Sequence, residues 1–228
     1  MPANVTGKIA ILSDIHGNFL ALEAVVRELE KIKPQVTFFL GDAVGYFPDG
    51  KEVLNMLYHM GCVSIKGNHE EMILGKIPAN KDAVYRLEAQ KEKLSARHLA
   101  TMANWPEKLE ITVSANRKLL LVHGSPADPL HGYIYPDTKI CERFLSDYSF
   151  TFMGHTHHPH IFPAEKTVAI NVGSVGLPRD GSTSASYCVL DLETDKYEIH
   201  KVKLNVAAML KKYRKLVHSS VLAKLGGM

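Results

Sequence analysis

Five short stretches of the chain carry residues able to hold a cation. They are Asp14 and His16 in Ser-Asp-Ile-His-Gly-Asn, Asp42 in Leu-Gly-Asp, Asn68 and His69 in Gly-Asn-His-Glu, His123 in Val-His-Gly-Ser, and His155 and His157 in Gly-His-Thr-His. One Asp-x-His alone reads equally well as a turn or capping pair; the recurrence of such stretches is what points to a metal site. They offer nitrogen and oxygen ligands without a thiolate, a set suited to Mn²⁺, Fe, Zn²⁺, Co²⁺ or Ni²⁺ rather than Ca²⁺. These are too many ligands for one ion and suit two ions about 3.5 to 4 Å apart that share a carboxylate. Solvent between such ions loses a proton near neutral pH and becomes a nucleophile. Of the remaining histidines, His131, His158 and His160 are left without a role.

Each stretch closes an apolar run, so strands must deliver these residues. Residues 9–12, Ile-Ala-Ile-Leu, are apolar throughout, as in a strand covered on both faces. Residues 36–40 and 62–65 read as strands that close on Gly41-Asp42 and on Gly67-Asn68-His69-Glu70. Between them, residues 18–31 place Leu20, Leu22, Val25, Val26 and Leu29 at helical spacing before Pro34, and Asp49 stands where it can cap a short helix through Tyr58. Strands alternating with helices predict a parallel sheet whose carboxyl ends line one crevice. Within a helical segment at 71–106, residues 81–105 space Val84, Leu87, Leu94, Leu99 and Met102 like one face of a helix leaning over the site. Further strands are predicted at 109–113, 119–122, 150–153, 160–163, 168–171, 186–190 and 197–202, with a helix over 137–145 between them. The tail, 205–228, predicts one helix whose polar face carries Lys211, Lys212, Arg214, Lys215 and Lys224. The expected fold is α/β with α+β character: a four-layer α-β-β-α sandwich, two mixed sheets packed face to face with helices outside.

Size and composition fit one domain spanning residues 1–228: 46% of residues are hydrophobic and 22% charged, as in a globular protein with a large core. A net charge of +3 is too small to mark a nucleic-acid-binding stripe. No apolar run approaches the roughly 20 residues of a membrane helix, and residues 1–8 lack the pattern of a secretion signal. Cys62, Cys141 and Cys188 have no paired spacing, so neither a disulfide framework nor a thiolate zinc site is expected. A cytoplasmic home with no membrane partner follows as the expectation.

Taken in order, Asp-x-His, Gly-Asp, Gly-Asn-His-Asp/Glu, His and Gly-His-x-His resemble the signature of the calcineurin-like metallophosphoesterase superfamily, over nearly the whole chain up to about Val202. The resemblance implies a dinuclear centre, with Mn²⁺ the first choice of metal. One ion would take Asp14, His16, Asp42 and His157; the other would take Asp42, Asn68, His123 and His155, with Asp42 the bridge. It also implies that His69 protonates the leaving alkoxide and that Glu70, where many relatives carry Asp, orients it. Asn68 belongs to the substrate side as well. Asn18, in the His-Gly-Asn turn, and Arg179, after the glycine-rich loop 171–179, are candidate phosphate contacts, each equally readable as a turn residue.

Relatives among protein phosphatases and dinucleoside-tetraphosphate hydrolases carry an arginine a few residues after Gly-Asp. Here the segment is Gly-Asp-Ala-Val-Gly-Tyr-Phe-Pro, without one, which argues against the protein phosphatases. The compact length and these loops look most like the small prokaryotic phosphodiesterases, which implies a small phosphodiester or nucleotide substrate. Hydrolysis of phosphomonoesters or of dinucleoside polyphosphates on the same centre is the alternative. A non-catalytic scaffold, as in a membrane-trafficking subunit of the superfamily, is a further one. Homo-oligomerisation is left open.

Overall fold

The computed structural model describes residues 5–140, 142–163 and 167–226. The first half runs β1 (Lys8–Leu12), α1 (Phe19–Ile32), β2 (Val36–Phe39), α2 (Gly50–His59), β3 (Val63–Ser64), α3 (Asn68–Ile73), α4 (Asp82–Tyr85), α5 (Leu87–Lys91) and α6 (Ala96–Ala103). The second half runs β4 (Lys108–Ser114), β5 (Arg117–Val122), β6 (Phe150–Met153), β7 (His160–Pro163), β8 (Val168–Asn171), β9 (Ser184–Asp191), β10 (Tyr197–Lys203), α7 (Val206–Tyr213) and α8 (Ser219–Lys224).

The strands form two mixed five-stranded sheets, ordered β10-β9-β1-β2-β3 and β4-β5-β6-β8-β7. In the first, helical crossovers return the chain in the same direction, so β1, β2 and β3 are parallel; β9 meets β1 antiparallel and the hairpin partner β10 follows it. In the second, β5, β6 and β8 are parallel between antiparallel margins. Side chains alternate across β1 because the strand repeat is two residues. Ile9 and Ile11 join a core with Leu119, Leu121, Phe152 and Ile170 of the other sheet. Ala10 and Leu12 join Leu22, Val25 and Leu29 of α1 on the opposite side. The carboxyl ends of β1, β2, β3, β5, β6 and β8 each lead directly into a polar stretch carrying the candidate residues.

Three predicted helices are broken or absent. The segment expected as one helix over 81–105 is three short ones. Arg86 turns left-handed (φ 57°), and Asp82 Oδ1 accepts from the N–H groups of Leu87 (2.6 Å) and Glu88 (3.2 Å), which restarts the helix as α5. Ser95 then caps α6, its hydroxyl accepting from His98 N at 3.3 Å. Short polar side chains that satisfy backbone N–H groups thus override the apolar periodicity. The tail likewise divides into α7 and α8, with Val217 buried between them. Over 137–145 there is one 3₁₀ turn, Glu142–Phe144, rather than a helix; residue 141 lies outside the described residues. Ile134, Ile140 and Leu145, which cover the outer face of the second sheet, are spaced too widely for one helical stripe. Asp49 does precede α2, yet its carboxylate accepts from Tyr213 Oη (2.7 Å) and Lys212 Nζ (2.5 Å), tying the tail to the loop after β2. Cys62 and Cys188 are free thiols, Cys141 being outside the described residues. Among the described residues no helix is long and apolar enough to cross a membrane.

Candidate metal centre

The candidate ligands are brought together by unusual backbone. Asp14 (φ 54°), His16 (φ 53°), Asp42 (φ 64°), His155 (φ 65°) and His157 (φ 61°) all adopt the left-handed conformation that non-glycine residues seldom use. A residue held there costs about 1–3 kcal/mol and persists only where its surroundings enforce it. Here they do. Asp14 N donates to Gly41 O (3.0 Å) and His16 N to Asp42 O (2.8 Å), locking the ends of β1 and β2 to each other. Ser174 Oγ (2.8 Å) and Gly176 N (2.9 Å), from the 171–179 loop, both donate to Asp14 O. A Cβ on Gly176 would lie 1.8 Å from the Ile15 carbonyl oxygen, so only glycine permits that approach.

The side chains form two groups joined by one carboxylate. In the first, Asp14 Oδ1 lies 3.1 Å from His157 Nε2 and 3.6 Å from His16 Nε2, and the two Nε2 atoms are 3.0 Å apart. In the second, His123 Nε2 lies 2.9 Å from Asn68 Oδ1 and 3.0 Å from His155 Nδ1. Asp42 Oδ2 stands between them, 3.6 Å from His16 Nε2 and 3.5 Å from His123 Nε2. The far nitrogens of three rings face backbone carbonyls: His16 Nδ1 that of Val44, His123 Nδ1 that of Leu40 and His157 Nδ1 that of Leu177. Such partners fix the ring and leave the inward nitrogen a lone pair to offer. His155 is reversed, with Nδ1 inward and its buried Nε2 without a partner.

The electrostatics ask for cations. Burial drives the histidines toward their neutral, ligand-competent form: His16 falls to about 4, His155 to about 2, and His123 and His157 also fall. Burial also opposes ionisation of Asp14, but the adjacent His157 and His16 outweigh it and hold the carboxyl well below the ordinary range. Asp42 lies well above its ordinary value because it is buried and faces the charges of Glu70 and Asp14. A buried carboxylate beside two others, ringed by neutral imidazoles pointing nitrogens at one another, is costly unless positive charge sits among them. The buried Asp14 Oδ1, which makes no hydrogen bond, points the same way. The donor set therefore fits two divalent ions.

His69 adjoins this cluster, its Nε2 4.0 Å from Asp42 Oδ2. Glu70 does not orient it, contrary to the expectation. The Glu70 carboxylate accepts from the backbone N–H groups of Asp42 (2.7 Å), Ala43 (2.8 Å) and Gly67 (2.8 Å), while His69 Nδ1 has no hydrogen-bond partner. Glu70 is instead a buried clamp between the ends of β2 and β3. Burial raises its carboxyl, and the three N–H groups pull the other way. Glu70→Ala leaves three buried donors unpaired at about 1–3 kcal/mol each. Urea unfolding should show a loss of at least about 3 kcal/mol, and a loss below about 1 kcal/mol would remove the clamp.

Packing holds the His69 ring. Tyr46 stacks on it (5.1 Å between centroids, 29°) and Tyr85 leans against it (4.8 Å). Its Nδ1 occupies the space a Cβ on Gly45 would need, 2.1 Å away. Tyr46 also meets the His16 ring edge-on at 4.7 Å, and its hydroxyl accepts from Arg179 Nη2 at 2.9 Å. Arg179 thus reaches the cleft beside His16 and His157. Asn18 does not: it is wholly buried, its Nδ2 donating to Gly176 O (2.7 Å) and its Oδ1 accepting from Ala21 N (3.2 Å). It caps α1 and anchors the 171–179 loop, so it has no amide left for phosphate. Sequence reasoning passed over Tyr46, Asn171 and Ser174. The amide of Asn171 holds Gly154 O and Thr156 Oγ1 on either side of His155.

The cluster floors a cleft of about 550 Å³, bordered by Lys81 and Tyr85, by Tyr133 and Tyr135, and by Lys224 of α8. His131, His158 and His160 lie outside the ligand groups formed by the described residues.

The sequence model of the calcineurin-like phosphoesterase superfamily domain matches residues 8–195. An uncharacterised protein of Methanocaldococcus jannaschii is 30% identical, the alignment covering 97% of each chain. The symmetrical bis(5'-nucleosyl)-tetraphosphatase of Wigglesworthia glossinidia brevipalpis is 22% identical over 81% of this chain and 71% of that protein. Among solved structures, a metallophosphoesterase from Sphaerobacter thermophilus superposes with a TM-score of 0.81 at 26% identity, covering 97% of this chain and 98% of that one.

Proposed function

The chain belongs to the calcineurin-like phosphoesterase superfamily, and from that membership we propose that it is a metal-dependent hydrolase of small phosphodiesters. One observation carries the reading: a single oxygen of Asp42 stands 3.6 Å and 3.5 Å from nitrogens of two separate ligand groups. Asp14, His16, Asp42 and His157 would hold one divalent ion and Asp42, Asn68, His123 and His155 the other. Family membership makes Mn²⁺ the first choice, and the nitrogen and oxygen set also suits Fe, Zn²⁺, Co²⁺ or Ni²⁺. Ions bound there would supply Lewis acidity and lower the pKa of bound water.

The protein's own groups do the rest. Arg179, steadied by Tyr46, offers its fork to a phosphoryl oxygen. Asn68 presents a neutral amide beside it. Burial and the neighbouring histidines hold His69 well below its ordinary value, so it gives a proton to the departing oxygen only after taking one up beside the bound anionic phosphate, a role typically worth about 10²- to 10⁴-fold. The free thiols agree with a reducing, cytoplasmic setting.

After Mn²⁺ loading, bis-p-nitrophenyl phosphate should turn over faster than p-nitrophenyl phosphate, lose turnover in EDTA and regain it with Mn²⁺. Faster turnover of the monoester would overturn the diesterase assignment. A second reading, hydrolysis of a dinucleoside polyphosphate, is favoured by the named tetraphosphatase relative and by Lys81, Arg179 and Lys224 at the cleft. It predicts that diadenosine tetraphosphate outruns both nitrophenyl esters. A scaffold role predicts turnover of none.

A further inference from the structure

The loop after β5 carries a feature the metal centre does not require. It is folded tightly on two glycines: a Cβ on Gly124 would lie 2.7 Å from Asp128 O, and one on Gly132 would lie 2.0 Å from Ser125 Oγ. Beyond Gly132 the chain alternates. Ile134 turns inward against the cluster containing Leu120 and Val122, while Tyr133 and Tyr135 stay 55% and 42% exposed. Thr156, between His155 and His157, donates to Ile134 O at 3.3 Å, and Tyr135 N donates to Thr138 Oγ1 at 2.9 Å. The first bond ties the residue between the two tyrosines to the metal-ligand loop, and the second closes a local turn after Tyr135.

Their rings are nearly parallel, 12° apart with centroids 6.0 Å from each other, and the Tyr133 centroid lies 4.2 Å from that of His155. A single exposed tyrosine is ordinary. Tyr133 lies between His155 and Tyr135, and Tyr135 meets the His158 ring edge-on at 5.8 Å, so the ring area that stays exposed lies at the rim of a charged cleft beside the place where phosphate would sit. Tyr85, Lys81 and, from α8, Lys224 line the same cleft. Among the described residues neither lysine has a carboxylate within 4.0 Å. The cleft volume of about 550 Å³ falls within the roughly 300–1,000 Å³ of sites that enclose a small ligand.

We infer that Tyr133 and Tyr135 form a stacking subsite for a planar aromatic group, so that the substrate is a nucleotide-like phosphate bearing such a ring. That it is a substrate rests on the phosphoesterase reading; that the ring binds does not. Stacking on aromatic side chains should contribute about tenfold in affinity. The probes are the 5'-methylenephosphonate analogues of AMP and of ribose 5-phosphate, in which carbon replaces the ester oxygen so that neither can be hydrolysed. In calorimetry on Mn²⁺-loaded protein, the adenosine analogue should bind about tenfold tighter than the ribose one. Tyr133→Ala with Tyr135→Ala should abolish that margin without weakening the ribose analogue, and Tyr133→Phe with Tyr135→Phe should keep it. No margin in the wild type, a margin that survives in the alanine pair, or equal loss of both ligands in that pair overturns the subsite. A wild type that shows the margin but hydrolyses none of the esters named above overturns the phosphoesterase reading and leaves the subsite standing.

Discussion

Asp42→Asn is expected to release both ions and to lower turnover by about 10³-fold or more, since a catalytic metal contributes several kcal/mol and about 1.4 kcal/mol is a factor of ten. Elemental analysis after dialysis should fall below one ion per chain where the wild type holds two; retention of both would refute the bridge. The substitution separates binding from folding. Asparagine keeps an oxygen for the bond that Asp42 Oδ1 receives from His69 N at 2.9 Å. It also removes a charge whose folded-state pKa lies above the ordinary 3.8. A carboxyl with a raised folded value favours the folded state fully below pH 3.8, and the advantage is lost as pH rises toward the folded value. The metal-free wild type should therefore lose more stability over that interval than metal-free Asp42→Asn, in which only Glu70 of this pair still titrates from a raised value. The loss of activity would then accompany an equal or greater resistance to urea.

His69→Ala is expected to retain both ions and to lose about 10²- to 10⁴-fold in kcat. The loss should depend on the leaving group: small for p-nitrophenolate, which needs little protonation, and large for an alkoxide. A merely structural ring would slow both alike. A fall in metal content would instead make His69 a ligand, since it shares a 4.8 Å neighbourhood with His16 and Asp42.

The parts of this molecule that depend on neighbours in sequence were legible, and those that depend on neighbours across the fold were not. Strands β6, β7 and β8 fall at the predicted residues because each is a short apolar or β-branched run bounded by polar turns. The candidate ligands could be named because each ends such a run, and the structure brings Asp14, His16, Asp42, Asn68, His123, His155 and His157 together. Glu70 was misread for a physical reason. Its position beside His69 suggested a pair, but the third residue of a helix reaches back to the helix start, and the parallel pairing of β2 with β3 adds the N–H groups of Asp42 and Ala43. Asn18 followed the same logic: it precedes a helix and caps it. Tyr46 left no signal, because its four partners come from residues 16, 69, 85 and 179. The breaks at Arg86 and Ser95 were masked by an apolar period that continues across them.

The left-handed backbone at Asp14, His16, Asp42, His155 and His157 has an evolutionary consequence. Glycine tolerates that geometry far better than any of these side chains, so a lineage selected for rigidity alone would be drawn to replace the metal-holding positions first. Asp and His at these positions give up backbone comfort for the ligand atoms they present. A homologue with glycines at these five places would keep the turns and lose the ligands.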